Sequence, residues 1–133
     1  MAARAAITIS SQLLAFDFGT LRIGVASGNG LLRQATPLRT IAAAQALAAI
    51  AALIDEWQPT ALVVGVPRHP DGAPHDNTRR AEKFARQLRA RFALPVFAVD
   101  ERYSTTEALS DGAGDADAAA AAIILNQFFN EHS

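Results

Sequence analysis

The chain of 133 residues has no cysteine. That excludes disulfide staples, a thiolate nucleophile and any cysteine-based zinc centre. Its three histidines, His69, His75 and His132, are scattered, so a histidine metal cage is not expected, and any metal would be held by oxygen. Long apolar runs are also missing. Nothing approaches the roughly 18 residues of a membrane span, and the opening MAARAAITISSQ has neither an apolar signal core nor a small-residue cleavage site. The sequence therefore predicts a cytoplasmic protein with no membrane partner. Excess charge is lacking too: 12 Lys and Arg against 13 Asp and Glu leave a formal net charge of -1, so the whole-molecule charge does not advertise nucleic acid.

What is present suits one domain. Half of the residues are hydrophobic, enough for a single core, and the expected unit is residues 1–133, with 1–12 an N-terminal extension that need not be fixed to it. Many apolar residues are alanines, so the core must lean on Leu13, Phe16, Ile23, Val25, Leu53, Ile54, Trp57, Val63, Val64, Val99, Ile123, Ile124, Leu125 and Phe128. The short runs LLAFDFG (13–19) and RIGVASG (22–28) predict an antiparallel hairpin, and a third strand is expected near 31–38. Apolar spacing from Thr40 to Trp57 predicts a helix with Thr40 as its cap and Pro59 beyond its end. A buried strand at 60–67 leads into the turn-rich loop RHPDGAPHDN. A helix over 78–92, a strand over 94–100, a short helix or loop over 104–117 and a closing helix over 117–130 complete the chain. The order β-β-β-α-β-α-β-α implies an α/β fold: a mixed five-stranded sheet with helices on both faces.

Within LAFDFGT (14–20), Asp17 interrupts an apolar strand, where an unpaired carboxylate costs several kcal/mol. Two further acidic positions sit at element ends: the pair Asp100 and Glu101 after the last strand, and Asp117 at the start of the last helix. A central first strand beside the later parallel strands would let the three converge, and oxygen ligands so gathered suit Mg²⁺ or Mn²⁺. Each has an ordinary explanation as well. Asp17 could be a turn former or pair with Arg22, Asp117 could cap its helix, and Asp100 and Glu101 could be a solvated strand end beside Arg102. Only the three together point to a site.

Charge is unevenly placed. Arg79, Arg80, Lys83, Arg86, Arg89 and Arg91 fall within thirteen residues, and no lysine or arginine follows Arg102. Such a run is commonly a solvated helix face; its functional counterpart is contact with a phosphate backbone. His69 and His75 read as surface residues. DGAGDAD (111–117) lacks the ligand spacing and closing glutamate of a calcium loop.

Four stretches in order, FDFGTLRIGVA (16–26), VVGVPRHPDG (63–72), VDERYSTTEA (99–108) and DADAAAAAIILNQFF (115–129), resemble the YqgF/RuvX family of ribonuclease-H-like proteins over about residues 13–130. The resemblance implies an RNase H fold and a metal-dependent endonuclease, a phosphodiester hydrolase processing the 5′ end of pre-16S rRNA in ribosome biogenesis. Its catalytic carboxylates would be Asp17, Glu101 and Asp117, holding Mg²⁺ or Mn²⁺ with Asp100 in reserve. Arg22 and Arg102 would hold phosphate or orient these acids, Thr105 and Thr106 would lie beside them, and Arg79, Arg80, Lys83 and Arg86 would bind nucleic acid. Gly19, Gly65 and Gly72 would permit close backbone approach or sharp turns.

The chain departs from that pattern in having a short LSDGAGDA link with no basic residue before Asp117, and Arg68 and His69 after VVGVP. The alternatives are a Holliday-junction-resolvase-like nuclease acting on branched DNA as a homodimer rather than a monomer, and a non-catalytic nucleic-acid-binding module. An actin-like or sugar-kinase reading of DFGT would need a second domain for which the chain is too short.

Overall fold

A computed structural model describes residues 12–67, 71, 73, 77–100 and 115–132. β1 (Gln12–Asp17), β2 (Arg22–Asn29) and β3 (Gln34–Ala42) form an antiparallel meander. A 3₁₀ turn (Ala43–Gln45) enters α1 (Ala46–Trp57); β4 (Ala61–Val66), α2 (Thr78–Phe92), β5 (Val96–Asp100) and α3 (Ala116–Glu131) follow. The sheet order is β3-β2-β1-β4-β5, with β4 parallel to β1 and β5 parallel to β4. The expected element order and the mixed five-stranded sheet are thus borne out, with β1 at the centre. Among the described residues no helix is long and apolar enough to cross a membrane.

β1 is apolar from Leu13 to Phe16 because that stretch is buried on both faces, and its alternation assigns those faces. Leu14 and Phe16 join Ile23, Val25, Leu62, Val64, Ile50, Leu53, Phe84 and Leu88 under α1 and α2. Leu13 and Ala15 join Val63, Val99, Ile124, Leu125, Phe128 and Phe129 under α3. The period of two then carries Asp17 to the α3 face. On that same face β2 presents Gly24, Ala26 and Gly28, and Ala26 packs with Ala121 and Ala122 of the helix. This small-residue track lets the alanine-rich α3 lie unusually close to β2.

Four expectations differ from the structure. The third strand runs over 34–42 rather than 31–38, and the helix expected from Thr40 begins at Ala46. Ile41 and Thr40 pair with Ile23 and Gly24, so the sheet ladder outcompetes the helical pattern there. Ile54, Trp57 and Ile123 are half-buried, while Leu14, Ile50, Leu62, Phe84, Leu88 and Phe129 are core residues. Gln12, assigned to the N-terminal extension, opens β1; the rest of that extension and the 104–114 part of the expected short helix or loop lie outside the described residues.

Candidate active site

Asp17 ends β1, in register with Gly24 of β2 and Gly65 of β4. Both strand neighbours of the carboxylate therefore lack side chains. The Gly24 flank is filled by the backbone of α3: a Cβ on Gly24 would stand 1.8 Å from the Asp117 carbonyl oxygen and 2.2 Å from its carbon. Gly24 is thus the seat on which the first turn of α3 rests, and that seat brings Asp117 beside Asp17.

The charges register this approach. Burial, then repulsion from Asp117, push Asp17 up from the ordinary 3.8 to about 6. No hydrogen-bond donor meets the Asp17 carboxylate among the described residues. Arg22, the first residue of β2, offsets the other carboxylate with Nε 3.1 Å from Asp117 Oδ2.

Asp117 is not the helix cap. Asp115 holds that position, its side chain accepting from the Ala118 amide at 3.1 Å. That same oxygen, Asp115 Oδ1, is also fixed by Thr40, whose hydroxyl donates to it. The Thr40 hydroxyl, aided by the backbone amides of Ala118 and Asp117 and by Arg22, holds the Asp115 carboxyl below the usual range against a smaller opposing effect of burial. Because Asp115 meets the orphan amides, Asp117 in the first turn is left to face Asp17. We expect Thr40→Val and Asp115→Ala each to cost about 1 kcal/mol in denaturant melts. The double variant should cost little more than Asp115→Ala alone, because the one bond that Thr40→Val removes is already lost with Asp115; additive losses would mean that the two side chains act separately.

The other expected site residues fall as follows. Asp100 ends β5 in register with Val66, whose side chain lies with Glu82, Ala85, Arg86 and Arg89 of α2. Alternation therefore sets Asp100 on the α1/α2 face, opposite Asp17, while its backbone carbonyl accepts from Gln127 Nε2 of α3 at 2.8 Å. Glu101, Arg102, Thr105 and Thr106 lie outside the described residues, as do Arg68, His69, Gly72 and His75. Arg79, Arg80, Lys83 and Arg86 are exposed on α2, as are Arg89 and Arg91. The N-terminus of that helix is at the Asp17 end of the sheet, where Thr78 Oγ1 donates to the Pro67 carbonyl at 2.5 Å. Its last turns lie at the opposite end, where Arg89 Nη2 donates to the Val96 carbonyl at 2.8 Å.

Sequence reasoning missed Gly24, Thr40 and Asp115. Only the alternation of small residues in GVASG hinted at a close helix; the Thr40 contact spans 75 positions and leaves no local signal.

Two carboxylates converging at a strand end, one of them half-buried and without a donor among the described residues, form a hard oxygen donor set that fits a divalent cation of the Mg²⁺ or Mn²⁺ type. Among the described residues no group of three or more potential ligands is assembled, and a Mg²⁺-type ion is commonly held by one or two carboxylates together with water and substrate phosphate.

A family model described as RuvX, Holliday junction resolvase, matches residues 11–131. A protein of Polaromonas sp. (strain JS666), provisionally named a pre-16S rRNA nuclease, is 70% identical over 117 residues, covering 86% of this chain and 85% of that one. One of Burkholderia mallei (strain SAVP1), named likewise, is 50% identical over 135 residues, covering 95% and 92%. Among solved structures, RuvC of Thermus thermophilus in complex with a Holliday junction substrate superposes with a TM-score of 0.59 at 15% identity, covering 92% of this chain and 95% of RuvC. That likeness is one of fold, and it bears out the RNase H-like architecture expected from the sequence.

Proposed function

The chain belongs to the RuvX family, and from that premise we propose that it is a metal-dependent endonuclease that trims the 5′ end of a pre-16S rRNA during ribosome maturation in the cytoplasm. The observation that carries this reading is the convergence of Asp17 and Asp117, with the helix cap supplied by a different residue. Asp17 and Asp117 would hold the cation, with Glu101 the third carboxylate. A divalent ion so held supplies Lewis-acid stabilisation of the charge that develops on the phosphate and a more acidic bound water. The chain's own residues do the rest. Asp17, at the end of the central strand, would fix the place of the cation relative to the sheet, and the α3 seat on Gly24 holds Asp117 in place beside it.

The basic helix supports a nucleic-acid substrate, in a graded way. Arg79, Arg80 and Lys83 lie in the first turns of α2, at the site end, whereas Arg91 is about 18 Å further along the helix axis. A backbone crossing the sheet end toward Asp17 meets the first three and passes the rest by. Replacing Arg79, Arg80 and Lys83 together with alanine is expected to weaken RNA binding at least tenfold and to flatten its salt dependence by about two to three logarithmic units of slope, in fluorescence titrations between 50 and 200 mM salt. Replacing Arg89 and Arg91 should leave the slope nearly unchanged, and an equal effect of the two sets would return α2 to a solvated face.

The function itself is tested by offering a labelled pre-16S 5′ fragment and a four-way DNA junction side by side, with Mn²⁺ or with EDTA, to the wild type and to Asp17→Asn. Metal-dependent cutting of the RNA, lost in the variant, supports the reading. Preference for the junction, with symmetric nicks and a dimer in solution, would assign the same carboxylates to junction resolution, and cutting of neither by folded protein would leave a binding module.

A further inference from the structure

Arg22 is bound to one carboxylate of the pair and leaves the other alone. Its Nε meets Asp117 Oδ2 at 3.1 Å, and no hydrogen bond engages Nη1 or Nη2 among the described residues. A guanidinium offers five donors in a planar fork suited to phosphate as well as carboxylate, so most of this fork remains unused. The neighbouring Asp115 does not draw it away, since that carboxylate is tied to the Thr40 hydroxyl and the Ala118 amide. The pair is also easy to open. The side chains of Arg22 and Asp117 are 71% and 34% exposed, and ion pairs in such settings contribute between nothing and about 1 kcal/mol.

We propose that Arg22 is an exchangeable guard of the Asp117 carboxylate: it occupies Oδ2 in the free protein, gives it up to a divalent cation, and passes to a phosphate of the nucleic acid. The inference rests on the metal-site reading above and adds a regulation to it. Because Arg22 and the cation compete for one oxygen, the free protein holds the cation weakly. Phosphate, by drawing the guanidinium away, strengthens that hold, and reciprocity requires that the cation in turn strengthen nucleic-acid binding. Loading of the site is thereby tied to the arrival of substrate, through a weak contact at the first residue of β2.

The test uses the full-length chain as wild type, Arg22→Gln, Arg22→Lys and Asp17→Asn. Mn²⁺ binding is read by electron paramagnetic resonance without nucleic acid, and binding of a labelled RNA hairpin is read by fluorescence anisotropy in EDTA. Arg22→Gln should bind Mn²⁺ about two- to fivefold more tightly than the wild type, the range spanned by an exposed ion pair. It should bind the hairpin about three- to tenfold more weakly, with a salt slope shallower by a little under one. Arg22→Lys keeps the charge without the fork and should fall between the two; it also serves if the glutamine variant fails to fold. A residue with a merely structural role would lose both affinities together, so the opposite signs are diagnostic. Unchanged or weaker Mn²⁺ binding in Arg22→Gln, or unchanged hairpin binding, overturns the exchange. If Asp17→Asn loses Mn²⁺ in that same experiment, the metal site stands and only the guard falls. If the wild type binds no Mn²⁺, or Asp17→Asn binds it equally well, the metal site fails and the guard with it.

Discussion

Asp17→Asn is expected to abolish cleavage, by at least about a hundredfold, and at the same time to make the metal-free protein more stable. The two effects have one origin. Asp17 is half-buried at the end of the central strand, repelled by Asp117 and met by no donor among the described residues, so its ionised form is disfavoured in the folded state. Removal of outer partners of metal ligands already costs ten- to a hundredfold, and loss of a ligand costs more. For stability the sign follows from where the protons go. Unfolded, the carboxyl titrates near 3.8; folded, near 6, so between those values the folded chain holds a proton that the unfolded chain has released. Stability of the wild type therefore falls as pH rises from about 4 to about 6, and the loss is complete above that. At 1.4 kcal/mol per pH unit, asparagine should restore about 2–3 kcal/mol at pH 7.5 and nothing near pH 3.5. Denaturant melts in EDTA at both pH values check this. A variant as unstable as the wild type at pH 7.5, or one that still cuts, would remove Asp17 from the centre of the site.

How far this arrangement could be read from the sequence depends on the range of the interaction that sets each part. The strand bearing Asp17 was legible because a carboxylate among Leu13, Leu14, Ala15, Phe16 and Phe18 is a local contradiction. The amphipathic α2 was legible because its period is unambiguous: buried Ala81, Phe84, Ala85 and Leu88 alternate with a basic face. The start of α1 was not. In TIAAAQALAAI the alanines satisfy either period, and pairing with β2 decides for strand as far as Ala42. The cap of α3 was likewise undecidable from DADAAA, where both aspartates are good caps; the choice falls to Thr40, on an edge strand remote in sequence. Nor could the faces of β5 be assigned. VFAVD is almost uniformly apolar, and only its parallel register with β4 shows that Asp100 and Asp17 point to opposite sides. Local chemistry thus named the acids, and tertiary register determined which of them meet.

Gly24→Ala should be the most damaging single methyl in the described chain. Its Cβ would lie 1.8 Å from the carbonyl oxygen of Asp117, 2.2 Å from its carbonyl carbon and 2.9 Å from the Ala118 nitrogen, all of them backbone. No rotamer relieves such an overlap; either the first turn of α3 lifts off the sheet or β2 bends away from it. Overpacking of a core by a methylene costs about 1–3 kcal/mol where side chains can adjust. Here they cannot, so a loss of at least about 3 kcal/mol is expected, and Asp117 moves with the helix end. Gly28→Ala provides the internal comparison. On the same face and under the same helix, its Cβ would meet Leu125 Cδ2 at 2.5 Å, a side-chain tip that can rotate, and the Gln34 carbonyl oxygen at 2.9 Å. It should cost about 1–2 kcal/mol and leave Mn²⁺ affinity and cleavage close to those of the wild type, since Leu125 is two turns away from the acids. In Gly24→Ala, at a temperature where the variant is still folded, Mn²⁺ affinity should fall at least tenfold. If both variants lost stability equally and neither lost metal, the seat on Gly24 would be packing alone. A selective loss at Gly24 would show that the distance between the two carboxylates is set by the missing side chain of the residue in register with the first of them.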